Sequence, residues 1–400
     1  MISQDVFRRN DWPTLGVEVE LQLVDSRSMA LKSAIGEVLE GLHPALRDSV
    51  KPEFMQCYVE INTDVCRTVA DVGSDLGRKI RSVEQSAARN GVELCWAATH
   101  PFSHWQDQEI TPNERYYKLA NLLGETIIRP VTFGLHVHVG VQSGDQAIRV
   151  IGQLQKYLPA LLALSANSPF WHGRMTGHHS HRVEVLEGFP TGGLPPQMQS
   201  WEEYCGLINQ LRTAGFIESH RELWWDVRPN TENGTVEVRI CDMPPDLPGV
   251  LGLTALIQCL VQQLSQAPDG DLRVPDCHPI LHRQNRWRAS RFGLAADLVD
   301  PATLEPQPAR SIIEQMVCQL APIASELGCE RDLEFVLEMI ARLTGSERQI
   351  ALYEQTGDLA EVVRTLVRQS RLDGEGHPMT PRLADLALFR SPSPCGIPAA

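Results

Sequence analysis

Residues 14–24 read TLGVEVELQLV, and their alternation decides the fold. Successive side chains of a strand point to opposite faces, so residues two apart share a face. Val17, Val19 and Leu21 therefore lie on one side, and Glu18 and Glu20 on the other. Three further stretches repeat the pattern. In residues 58–63, YVEINT, Glu60 shares a face with Tyr58 and Asn62. In residues 132–141, TFGLHVHVGV, His136 and His138 oppose Val137 and Val139. In residues 235–241, TVEVRIC, Glu237 and Arg239 oppose Val236, Val238 and Ile240.

Parallel sheets are covered on both faces and read as apolar throughout. Strands with one polar face fit an antiparallel or mixed sheet instead, with helices on one side and a cavity on the other. Helical periodicity appears between the strands, at residues 71–90, 145–164, 200–214 and 248–266, and again at 310–327, 331–343 and 358–371. Ser200 followed by Glu203 predicts a capping box. The expected organisation is α+β, one unit over residues 1–390 with a mostly helical part from about 308, and a loose tail over 391–400.

Composition narrows the function. The 400 residues carry a net charge of −14, which disfavours nucleic acid as a partner. The ten cysteines are scattered without a C-x-x-C pair, so reduced thiols in a cytoplasm are expected. Cys57, Cys66, Cys95, Cys205 and Cys259 read as small core residues. The N-terminus shows no cleavage signal, and no membrane association is expected. Only five lysines occur, so arginine supplies most of the cationic side chains.

An ordinary solvent-facing side is the plain reading of any one strand. Four strands whose polar positions are Glu, His, Asn and Arg, without lysine, point to a shared concave surface. Clustered carboxylates need cations. Oxygen-rich donors with an occasional imidazole suit Mg²⁺ or Mn²⁺, which commonly bridge carboxylates to nucleotide phosphates. Neither a G-x-x-x-x-G-K-[ST] loop nor a G-x-G-x-x-G fingerprint is present.

The segments GVEVELQLVD (16–25), EFMQCYVEINT (53–63), FGLHVHVGV (133–141), WWDVRPN (224–230), GTVEVRICDMP (234–244) and NRWRASRFG (285–293) occur in an order that resembles the glutamate–cysteine ligase type 2 (carboxylate-amine ligase) family. THPFSHWQDQEITPNERY, ending at Tyr116, also fits. The resemblance implies a glutamine synthetase-like curved antiparallel sheet, a half-barrel funnel with helices outside. It implies ATP with Mg²⁺ or Mn²⁺ inside, and metal roles for Glu18, Glu20, Glu53, Glu60, His136 and Glu237. Arg239 is implied to face a phosphate or the acceptor carboxylate. Arg182 and Arg228 are further candidates for those oxygens, and Arg286 and Arg291 for the nucleotide. An ordinary ion pair is the alternative for each of these last four. The implied reaction joins an amino-acid carboxylate to an amine through an acyl phosphate, glutamate and cysteine being the namesake pair, in a possible homodimer.

Two other readings stay open at this point. The H-x-H strand, with His100, His104, His172, His178, His179 and His181, suits a zinc hydrolase. A non-catalytic nucleotide-binding relative is the other. The segment 171–196 is a candidate lid. Trp224 and Trp225 read as packing residues, with substrate stacking as the alternative. Alanine at Glu18, Glu20 or Glu237 is expected to abolish phosphate release with the fold intact.

Overall fold

The first stretch forms β1 (Leu15–Asp25), whose Leu15, Val17, Val19, Leu21 and Leu23 are all buried. The computed structural model describes residues 7–267 and 278–373. After β1 come β2 (Val50–Pro52), β3 (Tyr58–Asn62), β4 (Val92–Cys95) and β5 (Leu135–Gly140). A small hairpin follows, β6 (Phe170–Trp171) with β7 (Arg174–Met175). Then come β8 (Val227–Asn230), β9 (Thr235–Val238), and a second small pair, β10 (Asp297–Val299) with β11 (Pro306–Pro308). The helices are α1 (Ile35–Glu40), α2 (Val69–Arg89), α3 (Glu114–Leu123), α4 (Glu125–Ile128), α5 (Gly144–Leu154), α6 (Leu158–Ser165) and α7 (Arg182–Leu186). They continue with α8 (Trp201–Thr213), α9 (Leu247–Gln266), α10 (Ile280–Phe292), α11 (Ala309–Leu327), α12 (Glu330–Ala341), α13 (Gly345–Thr356) and α14 (Leu359–Ser370).

The main sheet runs β2-β3-β1-β5-β9-β8, with β4 joined to the far half of β1. Every pairing is antiparallel. The sheet is open, as the one-sided polarity of its strands requires. Its edges, β2 and β8, each contain a proline, Pro52 and Pro229, which has no N–H to offer a further strand. These edges and β4 are too short for alternation to reveal them.

Helices α2, α5 and α9 pack against sheet strands, and α11 and α12 lie behind α9. Burying each valine or leucine of this layer contributes about 1.5–3 kcal/mol. Helix α9 is long and apolar enough to cross a membrane by length and composition, yet most of it is buried against its neighbours.

Two local expectations need correction. The single helix over 145–164 is broken between α5 and α6, where Pro159 enters the first turn of α6. Proline lacks the N–H of a helical ladder and disfavours helical geometry in the residue before it. At α8, Ser200 Oγ accepts the Glu203 N–H at 3.2 Å, but the Glu203 carboxylate accepts from Gln199 N–H at 2.7 Å, so the box is only half made. Helix α13 has its own capping box, Thr344 with Glu347, and was not read from the sequence. The tail 391–400 lies outside the described residues.

One buried cation ties α2 to the sheet. Lys79 Nζ donates to Asp75 at 2.8 Å, Asp64 at 3.0 Å and the Asn62 carbonyl at 2.9 Å. Lys79→Ala leaves Asp75 with the Asp64 N–H at 2.8 Å and its largely exposed Arg78 partner. Stability should fall by about 3 kcal/mol, read as a lower urea midpoint with an unchanged slope; an unshifted midpoint contradicts this role.

Candidate active site

Strand register builds the polar face. Glu18 stands opposite His136 on one side and Asn62 on the other, and Glu20 stands opposite Glu60. His138 is paired with Glu237, and Glu237 with Arg228. Directly opposed residues in an antiparallel pair bring their side chains into contact, so four distant stretches converge without help from any loop.

The β8–β9–β5 half is neutralised internally. Arg228 donates to both oxygens of Glu237, Nε at 2.9 Å and Nη2 at 3.0 Å. Arg239 donates to the same carboxylate. Burial opposes ionisation of Glu237, but Arg228, His138 and Arg239 together hold it well below the usual carboxylate range. His138 lies 3.2 Å from Glu18 through Nε2 and 3.0 Å from the Thr235 hydroxyl through Nδ1. Burial alone would push its imidazole down, yet Glu237 and Glu18 raise it. Glu18 also meets His136 Nδ1 at 3.1 Å. Against the pull of burial, the two histidines keep Glu18 ionised.

The β1–β3–β2 half is not neutralised. Burial pushes Glu20 up to about 7, although Arg182 and Arg239 act the other way. Glu53, just past β2, is raised well above the ordinary range by burial and then by Glu60 and Glu20. Burial and the Glu18 charge raise Glu60.

Two cavities meet this face. The smaller, about 150 Å³, is lined by Glu20, Glu53, His136, Arg182, Asp226 and Arg239 together with apolar side chains. The larger, about 460 Å³, reaches Glu18, Asn62, His138 and Thr235, with Arg8 and Lys51 at its rim. Buried His136 Nε2 and Asn62 Oδ1 have no hydrogen-bond partner. Glu18, His138 and Glu237 offer ligand atoms within 4.8 Å of one another. Orphaned buried acceptors beside excess carboxylates are a donor set that fits a hard divalent cation.

All six residues expected to bind metal thus share this face or its rim. Arg239 and Arg182 line the smaller cavity. Arg182 donates to the carbonyls of Ile240 and Arg239, while its buried Nε has no partner. It lies across Gly134, where a Cβ would come 2.7 Å from the guanidinium carbon, so a side chain there would push Arg182 aside. Arg228 also donates to the carbonyls of Arg221 and Leu223, and is a strut for Glu237. Two expectations are displaced. Arg286 is paired with Asp226 at 2.6 Å and Glu187 at 2.8 Å. Arg291 donates to the Gly177 carbonyl and lies over Phe292. Buried carboxylates and carbonyls compete for guanidinium groups, and a helical pattern does not show which wins. The segment 171–196 is no loose lid either. It contains part of a hairpin and α7, and buried Ser180 anchors it to Asp242 at 2.9 Å. His138 was legible in H-x-H as a face-mate of His136; the rim residues Arg8 and Lys51 carried no signal.

The remaining histidines do not gather into a zinc site. His100 accepts the Ser103 N–H at Nδ1, 2.9 Å, so its Nε2–H donates to the Met29 carbonyl at 2.9 Å. His104 and His172 pack ring on ring beside Arg129. His178 and His179 meet Ser290 and Ser346. Among the described residues, the one group of three ligating side chains is Glu18, His138 and Glu237.

The sequence model of glutamate–cysteine ligase family 2 matches residues 14–365. The chain belongs to this family. It is 42% identical to the "Putative glutamate–cysteine ligase 2" of Gloeobacter violaceus, covering 90% of this chain and 97% of the relative. The namesake from Thermobifida fusca is 40% identical, over 90% and 91%. Among solved structures, a Francisella tularensis glutamate–cysteine ligase in complex with AMP has a TM-score of 0.67 at 12% identity, covering 96% of this chain and 92% of that one. A Pasteurella multocida bifunctional glutathione synthetase gives 0.66 at 15% identity, over 89% and 52%. The fold is that of the glutamine synthetase-like ligases, an open antiparallel sheet backed by helices.

Two outcomes follow. Glu237→Ala strands Arg228 and Arg239, so it should cost about 3–5 kcal/mol; the expectation of an intact fold holds better for glutamine at this position. Chemical denaturation measures it, and a wild-type midpoint for Glu237→Ala would contradict the network. Second, burial pushes His100 down from 6.5 to about 4. The unfolded chain binds its proton first, so this stability is full above pH 6.5 and is lost as pH falls toward 4, by up to about 3 kcal/mol. The stability gap between wild type and His100→Gln should shrink across that window; a gap independent of pH would show that His100 charges freely.

Proposed function

We propose that this protein is a cytoplasmic, ATP- and Mg²⁺-dependent ligase that forms an amide bond, of γ-glutamyl type, between an amino-acid carboxylate and an amine. One observation carries the reading: half-buried Glu20 and Glu53 and buried Glu60 gather on one face in excess of the cations around them, beside an imidazole nitrogen left without a partner.

Glu18, Glu20, Glu53, Glu60, His136 and Glu237 are the proposed holders of metal. Bound Mg²⁺ supplies charge neutralisation for phosphate oxygens. The larger cavity, open and polar, suits a triphosphate, with Arg8 and Lys51 at its rim. The smaller suits the carboxylate, because Arg182 and Arg239 line it. A carboxylate oxygen attacks the terminal phosphorus and ADP departs. The resulting acyl phosphate is then open to an amine. Arg239 lines the smaller cavity and donates to Glu237, and its guanidinium can follow charge from one step to the next. The chain offers positions rather than a nucleophile of its own.

Phosphate release from ATP is the direct test. With Mg²⁺ and a panel of amino acids and amines, wild type should turn over, and chelation should stop it. Glu18→Gln and Glu20→Gln should each lower the rate at least about 100-fold. Full activity in both variants would remove the metal assignment, and no release with any pair would remove the ligase reading.

A further inference from the structure

An open cleft of about 440 Å³ shares no lining residue with the two cavities of the sheet face. Three local structures form it. A short 3-10 turn, Trp105–Asp107, is preceded by His104. Helix α4 supplies Glu125 and is followed by Arg129. The β6–β7 hairpin supplies Trp171, His172 and Arg174.

The hairpin presents His172 at a cost. Trp171 is paired with Arg174, so the turn holds two residues, His172 at φ 50° and Gly173 at φ 75°. Two left-handed residues in succession favour asparagine or glycine, and histidine there carries some strain. The position is firmly held all the same. Gly173 N–H donates to the Pro101 carbonyl at 3.0 Å. The His172 ring stacks on Trp171 at 4.7 Å between centroids, with planes 13° apart, and meets His104 at 4.6 Å. Its buried Nε2 has no hydrogen-bond partner.

The cleft also carries uncompensated positive charge. Among the described residues, neither the Arg129 nor the Arg174 guanidinium is hydrogen-bonded or ion-paired. The acid in the lining, Glu125, is exposed to water. Burial lowers the His172 imidazole, and His104, Arg129 and Arg174 lower it further; Asp107 acts the other way and least of all. Two free guanidinium groups beside an imidazole nitrogen left open are donors without an acceptor. A metal ion, the other common occupant of a histidine pair, would be repelled by both arginines.

We propose that this cleft binds a small oxyanion carrying two negative charges, held by Arg129, Arg174 and His172. A phosphate monoester and a dicarboxylate share that chemistry. The site lies apart from the ligase reading and does not depend on it.

The test reads His172 directly. In protein isotope-labelled at histidine Cε1, the His172 NMR signal is identified by its loss in His172→Asn, a substitution that suits the turn. At fixed ionic strength, inorganic phosphate or glutarate should shift that signal saturably, with a Kd of about 10 mM or tighter. Arg129→Gln combined with Arg174→Gln should weaken binding at least about tenfold; either single substitution serves if the pair does not fold. Saturation by phosphate alone assigns a phosphate monoester, by glutarate alone a dicarboxylate, and by both the shared chemistry. A His172 signal unmoved by either anion overturns the proposal. So does an equal shift with chloride, or an affinity that survives the arginine substitutions.

Discussion

Glu237, with 1% of its surface exposed, sits between the guanidinium groups of Arg228 and Arg239 and beside His138. Taking a carboxylate out of water is costly unless opposite charge meets it with good geometry. The β8–β9 register provides that geometry, since it places Arg228 directly across from Glu237. With this pairing fixed, the β5 histidines, Glu18 of β1 and the floor of both cavities are fixed in turn.

The same constraint divides the face into unlike halves. Around Glu237 the charges cancel within the chain. Around Glu20, Glu53 and Glu60 they do not, and burial pushes all three toward the protonated form. A sheet gains no stability from this arrangement. The proposed metal holders and the proposed place of phosphate chemistry rest on that asymmetry.

Rigidity serves the same end. The face stands on strands whose other side is covered by α2, α5 and α9, and Lys79 pins the end of β3 to α2. Five of the six proposed metal holders, Glu18, Glu20, Glu60, His136 and Glu237, therefore come from strands, whereas Glu53 and Arg182 lie in the connections and helices around them. Positions set by hydrogen-bonded strands suit a reaction shared across a family, and positions set by connections suit a choice of substrate.

By itself the sequence determined the strands and their faces. A period of two is written in the side chains, so Glu18, Glu20, Glu60, His136 and Glu237 could be placed on one polar side before any pairing was known. It determined the family too, because six ordered segments carry that resemblance. Tertiary structure alone decided which charges cancel. Arg228, Arg286 and Arg291 look equally available in the chain, and only the positions of Glu237, Asp226 and the Gly177 carbonyl show where each guanidinium is held. The apolar part of the smaller cavity's lining was hidden for the same reason: Phe54, Ile127, Phe189 and Trp224 are far apart in sequence and follow no shared period. A local pattern reports the direction of a side chain; its partner is chosen by chain folding over long range.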